Sequence, residues 1–359
     1  MNFTEAINTI ELIIMTDDVP LIIGESGIGK SSMVKRIAKE NNLELVNIDA
    51  NLLKEGEIGG LPYIKGGITK YATHQKLAEV SEKMINNENG VILFIDELNR
   101  CEHAVQQELM NLILNREING YTLDEKTKVI AAMNPSNKYD NFEESDYQVI
   151  DMDAAQEDRF VWVKLDSDEK EWLKWAMKEE ANIEEEVIEF ISQFPGYLHK
   201  TNSNESIKPT PRSWERVSKV YKAYKKSNKY NKEILYNAVK GNVGASVATD
   251  FISFISSFKN PILKAENLLS YEYIPFEIKE VIEKESHSKL YILSKKLLQL
   301  LDENKDNKKI KLFGEILSCY PKDLRLGIMK DIKKDYKENL YKLLLEEDTF
   351  IESFFDIYI

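Results

Sequence analysis

A lysine, a serine and two adjacent acids are spaced for phosphate chemistry within the first hundred residues. Gly24-Glu25-Ser26-Gly27-Ile28-Gly29-Lys30-Ser31, followed by Ser32, matches G-x-x-x-x-G-K-[ST] without a mismatch. Glycines there let successive backbone N–H groups converge on an anion with no Cβ in the way, and the N-terminus of a following helix favours negative charge. Lys30 would reach the β- and γ-phosphates of a nucleoside triphosphate, and the Ser31 hydroxyl would ligate Mg²⁺. A plain glycine-rich turn has the same letters. Context favours the cradle, because an apolar run precedes the motif and the helical pattern "KSSMVKRIAKE" opens on its lysine. Further on, "VILFIDELNR" ends an apolar run on Asp96 and Glu97. Asp96 is placed to hold Mg²⁺ through water and Glu97 to polarise an attacking water. An acidic cap at a strand–helix junction would look alike; the paired cradle favours the catalytic reading.

These residues need a scaffold that brings strand ends together. Up to Val163 the chain alternates helical patterns with short apolar runs at Val19–Ile23, Leu43–Ile48, Val91–Ile95, Lys128–Ala132 and Phe160–Val163. Several runs are apolar at every position, as parallel strands covered on both faces require. The expectation is an α/β domain with a parallel sheet between helical layers, over residues 1–165. From Ser167 the pattern is helical, predicting an all-α domain over 166–259 and a helical extension over 260–359, with a break at Asn260-Pro261. Phe3, Ile7, Ile10 and Ile14 fall at helical spacing and predict an N-terminal packing helix.

Composition bounds the function. A chain of 359 residues with 43% apolar and 30% charged residues has material for two or three cores. A net charge of −13 disfavours a protein that grips nucleic acid over its whole surface. Cys101 and Cys319 cannot build a disulfide framework, and the four histidines (74, 103, 199 and 287) form no ligand motif. The N-terminus has no basic leader pattern and no apolar stretch is long enough to span a bilayer, so a cytoplasmic location is the default expectation.

The order "DELNR", "EHAVQQELMNLILNREI", "VIAAMNPS", "DAAQEDRF" resembles the MoxR family of AAA+ ATPases. The resemblance covers roughly residues 20–220 and implies an AAA+ P-loop core, a helical lid and Mg-dependent ATP hydrolysis. It implies a sensor role for Asn134, an arginine finger at Arg159 acting on a neighbouring subunit, and a second sensor at Arg212 in "PTPRSWERV". Read as residues alone, Asn134 before Pro135 also suits a turn, Arg159 could pair with Glu157 or Asp158, and Arg212 could brace its helix. A charge supplied in trans makes hydrolysis a property of an assembly. The resemblance accordingly implies a homo-oligomer, usually a hexameric ring, that remodels a protein client in chaperone-like fashion. It also implies a von Willebrand factor A domain partner.

Two segments stay outside this chemistry. Glu55–Gln75 predicts a hairpin with "LPYIK" at its tip, flanked by Gly59-Gly60 and Gly66-Gly67, and Asn119-Gly120 predicts the turn of a second one before Asn134. Both are read as facing a client or ring axis, or as plain connections. The Lys/Tyr-rich stretch Ser218–Lys232 would suit nucleic acid, but Val217, Val220, Tyr221 and Tyr224 form a helical stripe that leaves the lysines as a solvated face. Trp162, Trp172, Trp175 and Trp214 are expected to pack a domain junction. The runner-up function is a GTP-dependent nucleic-acid motor of the McrB type; a third is a scaffold that binds ATP without turning it over.

Overall fold

The structure is a computed structural model describing residues 1–136, 149–150, 152–199, 205–227, 229–257, 263–336 and 340–355. The expected break at Asn260-Pro261 and the 259/260 boundary lie outside the described residues. The chain divides into two compact units, Met1–Glu171 with Thr210–Arg212, and Trp172–Pro209 with Ser213–Ile359.

In the first unit the strands are β1 (Pro20–Ile23), β2 (Glu44–Asp49), β3 (Pro62–Lys65), β4 (Ile68–Tyr71), β5 (Val91–Asp96), β6 (Glu117–Ile118), β7 (Tyr121–Thr122), β8 (Thr127–Met133) and β9 (Val161–Lys164). Five of them form one sheet in the order β2-β5-β8-β1-β9. Every pair in it is parallel. These are the five predicted runs, with ends moved by at most one residue.

Side-chain alternation sorts the strands into two core layers. On β5, Val91, Leu93 and Ile95 enter one cluster with Leu21, Ile23, Val129 and Met133. Ile92 and Phe94 enter the opposite cluster with Ile22, Ile130 and Ala132. Both faces must therefore be covered, which is why the strands read as unbroken apolar runs. Helices α1 (Phe3–Ile14) and α2 (Lys30–Glu40) cover the second face through Ile7, Ile10, Met33 and Ile37. Helices α3 (Gln75–Asn86) and α4 (His103–Asn115) cover the first through Leu77, Val105 and Leu109. The predicted N-terminal helix is present and starts at a capping box, Asn2 bonding the Glu5 N–H and Glu5 bonding back. Phe94 is 1% exposed, so truncation to Ala would cost about 3–5 kcal/mol.

Both predicted hairpins form. β3 and β4 pair antiparallel, but the tip is Gly66-Gly67, both at positive φ, and "LPYIK" is not the tip: its residues 62–65 form β3; every residue of both strands is exposed. β6 and β7 close on Asn119-Gly120, both at positive φ as a tight two-residue hairpin turn requires.

The second unit is helical; no strand follows Lys164 among the described residues. Its core runs from Trp172 to Phe354 as one cluster. At its centre Phe190 packs edge-on against Phe251 at 5.2 Å and against Trp214 at 5.4 Å. Trp172 and Trp214 belong to this core, Trp175 is 37% exposed with its ring 6.1 Å from that of Trp172, and Trp162 packs on the core of the sheet in the first unit. Helix Pro211–Lys226 buries Val217 and Tyr221, and Lys225 pairs with Glu184 and Glu186. The apolar stripe is thus packed, Lys222 and Lys225 are ion-paired, and Lys219, Lys226, Lys229 and Lys232 are exposed. No described helix is long and apolar enough to cross a membrane.

Candidate active site

Strand register puts the chemical residues at one edge. Ile23 of β1 pairs with Met133 of β8, and Ile95 of β5 pairs with Ala131 of the same strand. The segments starting at Gly24, Asp96 and Asn134 therefore leave the sheet side by side, at the carboxyl ends where ligands of open parallel sheets bind.

The cradle needs its glycines. Gly27 has φ +80°, and a Cβ there would stand 2.8 Å from Thr210 Oγ1 and 3.4 Å from Arg212 Cβ. Lys30 is the first residue of α2 and only 7% exposed. Its Nζ donates to Gly24 O at 2.6 Å, Glu25 O at 3.2 Å and Asn134 Oδ1 at 2.8 Å. Burial pushes the ammonium down to about 8, against the opposing pull of Glu97, Asp96 and Glu25; the Arg212 charge lowers it further. The lysine is held charged by acceptors that phosphate oxygens could replace.

Ser31 Oγ donates to Asp96 Oδ2 at 2.6 Å, and the other Asp96 oxygen accepts from Glu97 N at 3.0 Å. Glu97 occupies the left-handed region at φ +57°, a strained place for a residue with a Cβ and a common one at functional sites. Its Oε2 accepts from Asn134 Nδ2 at 2.5 Å and from Arg100 Nη1 at 3.4 Å. Asn134 is fully buried and joins the lysine to the glutamate, one carboxamide atom to each.

The Ser31 hydroxyl and the Asp96 carboxylate are hard oxygen donors in contact, and they fit Mg²⁺, which keeps water and substrate oxygens for its remaining positions. Among the described residues no three His, Cys, Asp or Glu groups gather as a metal cage.

Within the cradle Glu25, Ser26 and Gly27 are half-buried, Ile28 packs into the core, Gly29 caps α2 and Ser32 is exposed. Arg212 lies beside the cradle, its N–H donating to Gly27 O at 3.2 Å. Arg159 is not brought to the cluster. It is exposed after the short helix Ala154–Glu157, and among the described residues its guanidinium has neither ion pair nor hydrogen bond. It does not pair with Glu157 or Asp158. Two residues of "DELNR" were given no role from sequence: Arg100, which reaches Glu97, and Asn99, which bonds the backbone of Asn134. The only available signal was a polar residue set between Leu98 and Cys101, both buried.

Residues 20–160 match the AAA domain of the dynein-related subfamily. That match lies over the parallel five-stranded sheet and its helices, an α/β core of AAA type in fold, and a helical part follows it. No curated protein matches it. Among solved structures it is similar to an ATPase described as putative from Cytophaga hutchinsonii, at 17% identity over 71% of this chain and 89% of that one, TM-score 0.36. It is also similar to the Thermotoga maritima RuvB Holliday junction branch migration motor, at 17% identity over 74% and 78%, TM-score 0.38. NtrX from Brucella abortus in complex with ADP is similar at 15% identity over 92% and 67%, TM-score 0.34. At such scores the structural likenesses carry no argument about function.

Proposed function

We propose that the AAA domain is a Mg-dependent ATPase whose turnover drives MoxR-like, chaperone-like work on a protein client. The observation that supports this most is one hydrogen-bonded chain, Lys30–Asn134–Glu97, beside the Ser31–Asp96 pair. Lys30 exchanges Gly24 O and Glu25 O for phosphate oxygens and neutralises their charge. Ser31 and Asp96 would hold Mg²⁺, which when bound would supply positive charge to the transferring phosphoryl group. Glu97 takes the proton of the attacking water, and Asn134 fixes the carboxylate and the water it addresses. Arg212, already beside Gly27, stabilises charge developing on the phosphoryl oxygens.

Arg159 completes the site of a neighbouring copy. Its exposure and its guanidinium, unpaired among the described residues, suit a group that finds its anion only on assembly, in a homo-oligomeric ring that the family resemblance makes hexameric. Residues 166–259 serve as lid and 260–359 as a partner-specific extension, with a von Willebrand factor A domain protein as the family-level partner. The test is complementation. Arg159→Ala should bind ATP normally and lose hydrolysis by on the order of 10³-fold. Mixing it with Lys30→Ala should restore part of the activity, since each variant keeps what the other lacks. Mixed assemblies that form and stay inactive at every ratio would refute the trans role.

A further inference from the structure

We propose that Asn99 is the positioning residue of this site, setting the Asn134 carboxamide between Lys30 and Glu97. The proposal rests on the hydrolase reading given above. β8 ends at Met133, so Asn134 is the first residue past the strand. Its N–H and C=O are buried, and buried backbone groups must find partners. Asn99 supplies both: its Oδ1 accepts from Asn134 N at 3.2 Å, and its Nδ2 donates to Asn134 O at 2.8 Å. A carboxamide carries one acceptor and one donor side in a plane, the complement of one peptide edge. Asp lacks the donor, Ser is shorter, and an isosteric Leu would leave two buried groups bare at about 1–3 kcal/mol each.

Asn99 is also tied to the residues it aligns. It lies two residues after Glu97, on a segment fixed by Leu98 N donating to Ala132 O at 3.0 Å. Its own carbonyl accepts from Ile150 N at 2.8 Å, anchoring the chain that returns toward Arg159. Asn99 is 1% exposed and has no room to take another rotamer freely. The segment that carries the base, the sensor residue and Ile150 are thus linked through one residue, whose side chain bonds only the Asn134 backbone. A backbone rotation at Asn134 would carry its carboxamide off both partners, and misplacement of about 1 Å at a reacting centre costs roughly 10²-fold.

The experiment is steady-state hydrolysis and nucleotide binding by the full-length chain, wild type and variants, with ATP and Mg²⁺. Asn99→Ala should lower kcat by roughly 10–100-fold with nucleotide affinity nearly unchanged. Asn99→Asp, which keeps the acceptor and loses the donor, should fall between Asn99→Ala and wild type. The double variant Asn99→Ala/Asn134→Ala should be no slower than Asn134→Ala alone, because the first residue acts only through the second. A folded Asn99→Ala with wild-type kcat, or losses that add in the double variant, would overturn the assignment. If neither Asn99→Ala nor Asn99→Asp folds, the residue serves core stability and the assignment also falls. A wild-type chain that binds ATP through Lys30 yet hydrolyses none would instead overturn the hydrolase reading itself.

Discussion

The cluster around Lys30 and the β3–β4 hairpin belong to the same compact unit and break opposite rules of burial. In the cluster, polar and charged groups are inside: Lys30, Asn99 and Asn134 are at most 7% exposed, and each has named partners. In the hairpin, apolar groups are outside: Leu61, Tyr63, Ile64, Ile68 and Tyr71 are between 43% and 80% exposed. Burying polar groups costs several kcal/mol unless their hydrogen bonds are met, so the cluster persists only because its network is closed. Exposing a run of apolar residues on a two-stranded ribbon contributes nothing to the fold of this chain. The first pattern is what preorganised chemistry requires; the second leaves apolar side chains without cover in this chain.

The largest effect should come from opening the closed network. Lys30→Ala removes the cation that three acceptors surround and should weaken ATP binding by a factor on the order of 10³, measured by titration of a fluorescent nucleotide. Glu97→Gln should keep that affinity and lose turnover by about 10²–10⁴-fold. Wild-type turnover in Glu97→Gln would remove the glutamate from the role of base.

Next in size is the hairpin's own footing. Gly60 has φ +82°, and a Cβ there would stand 1.7 Å from Ala72 O; Gly66, at φ +64°, has nothing within 4 Å. Gly60→Ala should destabilise the hairpin base by about 2–4 kcal/mol, Gly66→Ala by about 1–2 kcal/mol. Proteolysis between Leu61 and Tyr71 would read the difference. Equal protection in both variants would show that the Leu61–Ala72 closure does not govern the hairpin.

A buried charge is not by itself a site, and Glu189 in the helical unit is the control. It is 1% exposed, and its Oε1 accepts from Gln193 at 3.0 Å while Oε2 has no hydrogen-bond partner. Burial pushes its carboxyl up to about 7 from an ordinary 4.5, against the pull of Lys289; Glu285 and Glu185 push it the same way as burial. The folded chain holds this proton more tightly than the unfolded one, so the penalty is absent below about 4.5, grows as pH rises toward 7 and is constant above. Glu189→Gln should therefore stabilise the protein by about 1–3 kcal/mol at pH 8 and hardly at all near pH 4.5, in denaturant unfolding. A stabilisation independent of pH would mean that Glu189 is not the titrating group.

The smallest effect on the fold should come from the exposed ribbon. Tyr63→Ala combined with Ile64→Ala removes side chains 44% and 80% exposed and should move stability by no more than about 0.5 kcal/mol. Assembly and basal ATPase should stay near wild type, while stimulation by a partner is lost. A folded double variant that is monomeric or inactive would place the ribbon between copies of this chain instead.

Much of this was legible in the amino-acid sequence because the signals are local. Five apolar runs predicted five parallel strands, Asn119-Gly120 predicted one turn, and the G-x-x-x-x-G-K-S spacing predicted a loop that opens a helix; the glycine pairs around "LPYIK" predicted a hairpin but not which pair would turn it. Backbone conformation and strand burial follow from neighbours along the chain, so periodicity and glycine placement suffice to read them. What only the tertiary structure decided is which distant polar groups meet. Asn99 and Asn134 are joined because β5 and β8 are neighbours in the sheet, an adjacency set by how all five strands sort into two core layers. The same applies to Lys30, whose ammonium is depressed by burial and whose third acceptor is a residue just past the end of another strand. Sequence specifies each group's type and local geometry; burial and partnership are properties of the packed whole, since desolvation is settled by everything that surrounds a group.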